Sequence, residues 1–399
     1  MILRYLYFII LLVLPGIVFS QSIPFKELQA FSEIKNGNYS EAIDSLNIIL
    51  SKNPEPEVHL AKAEAFLKLD NFSEALEECK RIEKIRPFYS SELEFKIFLT
   101  LNDHEKANEA LEENLKSKYK ISLFDLLNNP EFSNNYNLGL DKTLLNLNFY
   151  SQTEKQLYQA ERLIHQEKHN QALFIINEII SRNNNIAQAH YLKSRITYIE
   201  GDIQNSLQSI NTAIELKKSE IKYLTHRLLI NKELKKLDDA LTDATKLIRL
   251  APYEIDNYIN KADLLFKTKQ FDEAIELTNA ILKILPDDPD VLYLSSKSFF
   301  MKNDYFEALK NINQALQIKS NIDFYELRGD IYMATNTFEY ATRDYSMCLD
   351  IEAQNGTVYA KKGLARLKLG DKKGACSDWK KGKRYGSYDA ISYLEKYCQ

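Results

Sequence analysis

The chain has 399 residues, of which 45% are apolar, and carries a net charge of −4 with 11 Gly and 9 Pro. So small a charge excludes a general polyanion-binding role. So few Gly and Pro exclude long flexible linkers and favour helix almost throughout.

The first twenty residues have the outline of an export signal. Arg4 supplies the positive region, Tyr5 to Leu14 form an unbroken apolar run, and Pro15 and Gly16 break it. Val18 and Ser20 suit the positions a signal peptidase reads, so cleavage near Ser20 is expected, leaving Gln21 first. The run is shorter than the roughly 20 residues a membrane span needs. No cysteine follows it to carry a lipid. A periplasmic or extracellular location is therefore expected.

From residue 21 the chain repeats itself. The unit is plainest from Asp256 to Pro286. Tyr258, Ala262 and Leu265 share one face of a first helix, Ala274, Thr278 and Ile281 one face of a second, and Pro286 ends it. Ala274 has counterparts at Ala42, Ala75, Ala107, Ala172, Ser206, Ala240, Ala308, Ala341 and Ala375. From Ala172 onward the interval is nearly constant, at about 34 residues, a period that marks a solenoid of stacked units. Pro54, Pro87, Pro252 and Pro286 each fall 12 positions after their alanine. Neither helix can bury its apolar face alone, so each unit needs its neighbours.

A polar turn, an aromatic, an alanine three residues on and a closing proline recur together. They appear as Asn36-Gly37-Asn38-Tyr39-Ser40-Glu41-Ala42, Lys269-Gln270-Phe271-Asp272-Glu273-Ala274 and Asn303-Asp304-Tyr305-Phe306-Glu307-Ala308. This pattern resembles the tetratricopeptide repeat (TPR) and covers most of the chain after residue 20. The resemblance implies an all-α fold: a right-handed α-solenoid of helix-turn-helix units closed by a C-terminal capping helix. Repeats 1–3 are placed over 21–119, an irregular stretch or degenerate repeat over 120–150, repeats 4–10 over 151–384 and the cap over 385–399. Ala107 and Ala172 stand close to two periods apart. That favours a degenerate repeat, with Ile121 to Leu127 as one helix and Lys142 to Tyr150 as part of the next.

Cys79 and Cys348 fall in second helices seven repeats apart, too far to pair, and are expected as buried thiols. Cys376 begins the last second helix and Cys398 ends the cap, so one helix turn brings them within reach of each other. A disulfide is expected there; the alternative is two thiols packed on Trp379. The single tryptophan, Trp379, takes an inward position under the cap, where Ile391, Leu394 and Tyr397 share one face.

No catalytic constellation emerges: there is no Gly-rich phosphate loop, no Gly-x-Ser-x-Gly elbow and no Cys-x-x-Cys pair. No enzyme activity, cofactor or metal is expected. His165 and His169 lie one helical turn apart, but Gln166 stands where a metalloprotease helix has glutamate. A hydrolase would have to draw on Asp125, Glu131 and Asp141. Nucleic acid is not expected as a partner of an exported chain. Between Tyr359 and Arg384 there are ten Lys or Arg against two Asp. That basic end is either a solvated terminal face or a contact for an anionic envelope surface.

The resemblance also implies a concave face, lined by the first helix of each unit, on which peptides bind. Mapped position by position it comprises Tyr158, Glu161, Tyr191, Arg195, Tyr198, His226, Asn260, Asp263, Phe266, Tyr293, Lys297, Phe300, Glu326, Asp330 and Met333. Aromatic and charged side chains alternate, which suits an extended or helical peptide. About half of the aromatics are expected to pack between neighbouring first helices instead. The Lys-Asn-Asn-Lys-Arg set that clamps chaperone tails is missing: Asn260 alone matches, and Asp256 and Asp263 flank it with the wrong charge. The expected function is an exported, non-catalytic scaffold for a protein or peptide. The second expectation is a structural component of a cell-envelope or secretion assembly, acting through its convex face and basic end.

Overall fold

In the computed structural model residues 25–128 and 149–398 are described, and their regular structure is helical throughout. Helices pair as A and B of successive repeats. Repeats 1 to 3 are α1 (Phe25–Lys35) with α2 (Tyr39–Leu50), α3 (Pro56–Lys68) with α4 (Phe72–Ile85), and α5 (Ser91–Thr100) with α6 (His104–Lys116). The short α7 (Leu123–Asn128) follows. Repeats 4 to 6 are α8 (Gln152–His165) with α9 (His169–Arg182), α10 (Ala187–Ile199) with α11 (Ile203–Leu216), and α12 (Ile221–Glu233) with α13 (Leu237–Leu250). Repeats 7 and 8 are α14 (Ile255–Lys267) with α15 (Phe271–Leu282) and α16 (Pro289–Met301) with α17 (Tyr305–Ile318). Repeats 9 and 10 are α18 (Ile322–Ala334) with α19 (Phe338–Ile351) and α20 (Gly356–Lys368) with α21 (Lys372–Arg384); α22 (Tyr388–Tyr397) closes the array.

The register seen in the sequence is the register of the packing. All nine repeat alanines and Ser206 have no exposed surface, because any larger side chain there would hold helices A and B apart. Among the described residues every A–B hairpin turns on one residue of positive φ, and in seven of the ten this is not glycine: Asp70, Asn102, Glu167, Lys235, Lys269, Asn303 and Asn336. In repeat 5 the residue is Gly201, whose N–H donates to the Tyr198 carbonyl while Asp202 N–H donates to that of Thr197. These bonds satisfy carbonyls that the helix end would leave unpaired.

A second repeated device lies beside the alanine register. The residue three places after the alanine is often polar, buried and bonded to helix A of the same repeat. Asp243 takes two bonds from Arg227 (2.6 and 2.9 Å), and Asp344 takes two from Arg328 (2.7 and 2.8 Å). Glu78 receives Lys62 at 2.8 Å, and Asn311 donates to Ser295 at 2.9 Å. Arg227 also donates to Asn211, and Arg328 to Asn313, each on helix B of the preceding repeat. One arginine thus ties three helices together.

The segment that departs from the period still packs. Ile121, Leu123 and Leu126 join the core of repeat 3, and Tyr150 donates its hydroxyl to the Ile121 carbonyl at 2.9 Å. Phe124 stacks on His165 of α8 at 5.0 Å. The second expected helix, Lys142 to Tyr150, lies mostly outside the described residues, as does the expected signal over 1–20.

The two ends of the array are covered in different ways. The open face of α1 meets the edge of repeat 7. Leu28, with no exposed surface, shares a core with Ile255, Tyr258 and Ile281. Phe31 stacks on Tyr253 at 4.7 Å, Tyr253 donates to Glu55 at 2.6 Å, and Lys35 pairs with Asp256. At the other end α22 lies over Trp379, which is fully buried and donates Nε1–H to the Ala360 carbonyl at 3.0 Å.

Gly363 makes room for that indole: a Cβ there would lie 2.3 Å from Trp379 Nε1. Gly363→Ala is therefore expected to destabilise the C-terminal end by about 1–3 kcal/mol. As the sole tryptophan, Trp379 reports on this end alone. A lowered fluorescence unfolding midpoint is the expected result, and an unchanged one would show that the indole is not wedged.

Candidate functional site

Helices A of neighbouring repeats pack against one another more than helices B do, which places A on the inner side of the curve. All fifteen mapped side chains lie on A helices, and each is half-buried. The charged ones are largely bonded from repeat to repeat. Arg195 pairs with Glu161 at 3.1 Å, Lys232 reaches Asn260 and Asp263 at 3.3 and 3.5 Å, and Lys361 bridges Glu326 and Asp330 at 2.7 and 2.6 Å. Burial raises the Glu161 carboxyl pKa although Arg195 opposes it. Burial alone would depress the Lys361 ammonium, yet Asp330 and Glu326 raise it.

Many of the aromatics pack sideways. Tyr191 tilts against Tyr223 at 4.9 Å and meets His226 edge-on, Tyr198 also meets His226 edge-on, and Tyr293 leans on Phe324 at 4.9 Å. Tyr158 contacts Phe124, and Met333 joins the core of repeats 9 and 10. Phe266 and Phe300 instead touch the first residue of their own helix B, Phe271 and Tyr305.

Six of the mapped residues converge on one cavity of about 330 Å³: Phe266, Tyr293, Lys297, Phe300, Glu326 and Asp330. Met301, Asp323 and Leu327 complete its lining. Sequence mapping missed Asp323, although Asp323, Glu326 and Asp330 follow the i, i+3, i+7 spacing of one helix face. The Lys297 ammonium sits 4.4 Å from the Phe266 ring centre and 5.2 Å from that of Tyr293. Burial lowers its pKa.

Similarity to known proteins agrees with this architecture. Tetratricopeptide repeat family models match residues 28–90 and 233–297. Over those two stretches the chain is a tetratricopeptide repeat protein. A TPR repeat-containing protein of Methanocaldococcus jannaschii is 28% identical over 256 residues, covering 59% of this chain and 44% of the relative. DnaJ homolog subfamily C member 3 of Gallus gallus is 23% identical over 312 residues, covering 77% of this chain and 55% of the relative. The chain thus spans about half the length of these relatives. Among solved structures, a tetratricopeptide repeat protein from Parabacteroides merdae superposes with a TM-score of 0.50 at 17% identity, over 62% of this chain and 99% of that one. That likeness is one of fold. TPR proteins are in general non-catalytic scaffolds, and this fold suits protein–protein interaction.

The other sequence-selected residues of this TPR chain fall as follows. Cys376 and Cys398 are joined, with Sγ atoms 1.97 Å apart, and Cys79 and Cys348 are buried thiols. Burial pushes the Cys348 thiol up to about 12. His165 ends α8 and His169 begins α9. Glu131 and Asp141, named for a hydrolase, lie outside the described residues.

One groove group, His226, titrates well below its ordinary range. Ser194 donates its hydroxyl to the Ser206 carbonyl, which leaves the neutral Nε2–H of His226 to donate to Ser194 Oγ at 3.1 Å. Burial chiefly, with Arg195 adding to it, holds the imidazole down to about 4 against an ordinary 6.5. Between those values the unfolded chain binds the extra proton, so this residue lowers stability as pH falls from about 6.5 to about 4. His226→Gln should unfold with a flatter pH dependence across that window than the parent protein. Identical slopes for the two would contradict this environment for His226.

Proposed function

We propose that this TPR protein is an exported, non-catalytic scaffold that binds a protein or peptide segment in its concave groove. The observation that carries the reading is the cavity between α14, α16 and α18. There, aromatic rings line the cavity and the Asp323 carboxylate enters no ion pair among the described residues, while the other groove charges have paired with one another. Aromatic side chains provide area at low conformational cost, and fixed charges provide register. The reading of export rests on Arg4, the apolar run from Tyr5 to Leu14 and the small residue at Ser20.

A second reading rests on the C-terminal end. Lys361 and Arg366 are engaged by Glu326, Asp330 and Asp378, but Lys368, Lys372, Lys373, Lys380, Lys381, Lys383 and Arg384 are exposed. Such a cluster on an acidic chain suits an anionic envelope surface or an acidic partner in an envelope assembly.

The two readings separate in one pull-down from envelope extract. Replacing Tyr191, Phe266 and Phe300 together by Ala should abolish recovery of the partner. Reversing Lys380 and Lys381 to Glu should leave recovery unchanged. Loss with the lysine pair alone would favour the basic end, and recovery unaffected by the aromatic triple would refute the groove.

A further inference from the structure

The cavity at repeats 7 to 9 is more specific than a generic peptide groove. Its walls are the rings of Phe266, Tyr293 and Phe300, its apolar surface includes Met301 and Leu327, and its ionisable groups are Asp323, Glu326, Asp330 and Lys297. Three carboxylates thus face one lysine within the cavity. Lys361, reaching in from repeat 10, neutralises one charge of the Glu326 and Asp330 pair. Asp323 is exposed; its backbone N–H is capped by Asn321, and its carboxylate enters no ion pair among the described residues. The balance is one negative charge in excess, and it sits beside electron-rich ring faces.

The structure already shows what those rings accept. Lys297 lays its ammonium over Phe266 and Tyr293, the geometry of a cation held by ring quadrupoles. Elsewhere in the groove Glu161 is paired with Arg195, and Asp263 with both Lys232 and Lys267, so neither carboxylate is left in excess. The excess negative charge of these groove groups therefore sits at the cavity.

Resting on the groove reading above, we propose that this cavity receives a lysine or arginine side chain from an extended segment of the partner. The incoming cation takes the Asp323 carboxylate and a ring face, while the peptide runs across α14, α16 and α18. Lys297 is then a competitor for the same rings and a like charge, not an anchor for an acidic ligand.

The test is selection from a display library of random dodecapeptides against the purified full chain, followed by titration of the enriched peptides as fluorescent synthetic probes. Enrichment of Lys- and Arg-bearing peptides is expected. Asp323→Ala should weaken them roughly tenfold, as loss of one charge contact would, and Lys297→Met should strengthen them several-fold. Circular dichroism of both variants would check the fold. Basic peptides that bind equally well to Asp323→Ala, or that are lost with Lys297→Met, would overturn the proposal. Acidic or neutral peptides that are lost on replacing Tyr191, Phe266 and Phe300 would overturn it while leaving the groove reading intact. No enrichment at all would overturn both.

Discussion

The structure depends on each pair of helices being covered by the next. Among the described residues no hairpin encloses a core of its own; its apolar residues are completed by the neighbouring repeat or, at the end, by the capping helix. The alanine at the centre of each hairpin sets how closely A and B approach. The arginine clamps at Arg227 and Arg328 then join helix B of one repeat to both helices of the next. A buried carboxylate without such a partner would be costly, and removing one side of such a pair typically costs about 3–5 kcal/mol. The clamps therefore fix which helices meet, whatever they add to net stability.

A chain built this way has a problem at each end, and the two solutions differ. The last repeat is sealed by a dedicated helix, an indole and the Cys376–Cys398 bond. The first repeat uses repeat 7 of the same chain, through Leu28, Phe31 and Tyr253. Because that contact skips the five repeats between, it ties the start of the array to its middle. The exposed Lys35–Asp256 pair adds little to it; the buried leucine and the ring stack carry it.

Much of this is legible in the sequence, because period, small residues and helix stops are local and repeat ten times. The alanine register, the helix pairs and the inward Trp379 follow from spacing, whereas the track on the A helices is what the resemblance to the tetratricopeptide repeat implies. The clamp is legible too, since Glu78, Asp243, Asn311 and Asp344 all stand three places after their alanines. It escapes a first reading because polar residues on a helix suggest the solvent side. Asp323 escapes for a related reason: it precedes the stretch matched to the repeat pattern. The docking of α1 on repeat 7 is not legible. A contact between segments so distant depends on the summed rotation of the repeats between them, which no local pattern records.

The central claim, that coverage by a neighbour is what holds each hairpin, is tested most directly by hydrogen exchange followed by mass spectrometry on the intact chain and on Tyr253→Ala. In the parent protein α1 and α2 should be protected in proportion to their docking on repeat 7. In the variant they should exchange faster, while α20 to α22 remain unchanged. Protection of α1 and α2 that is indifferent to Tyr253 would mean that the first hairpin stands without its distant cover, and would contradict the account.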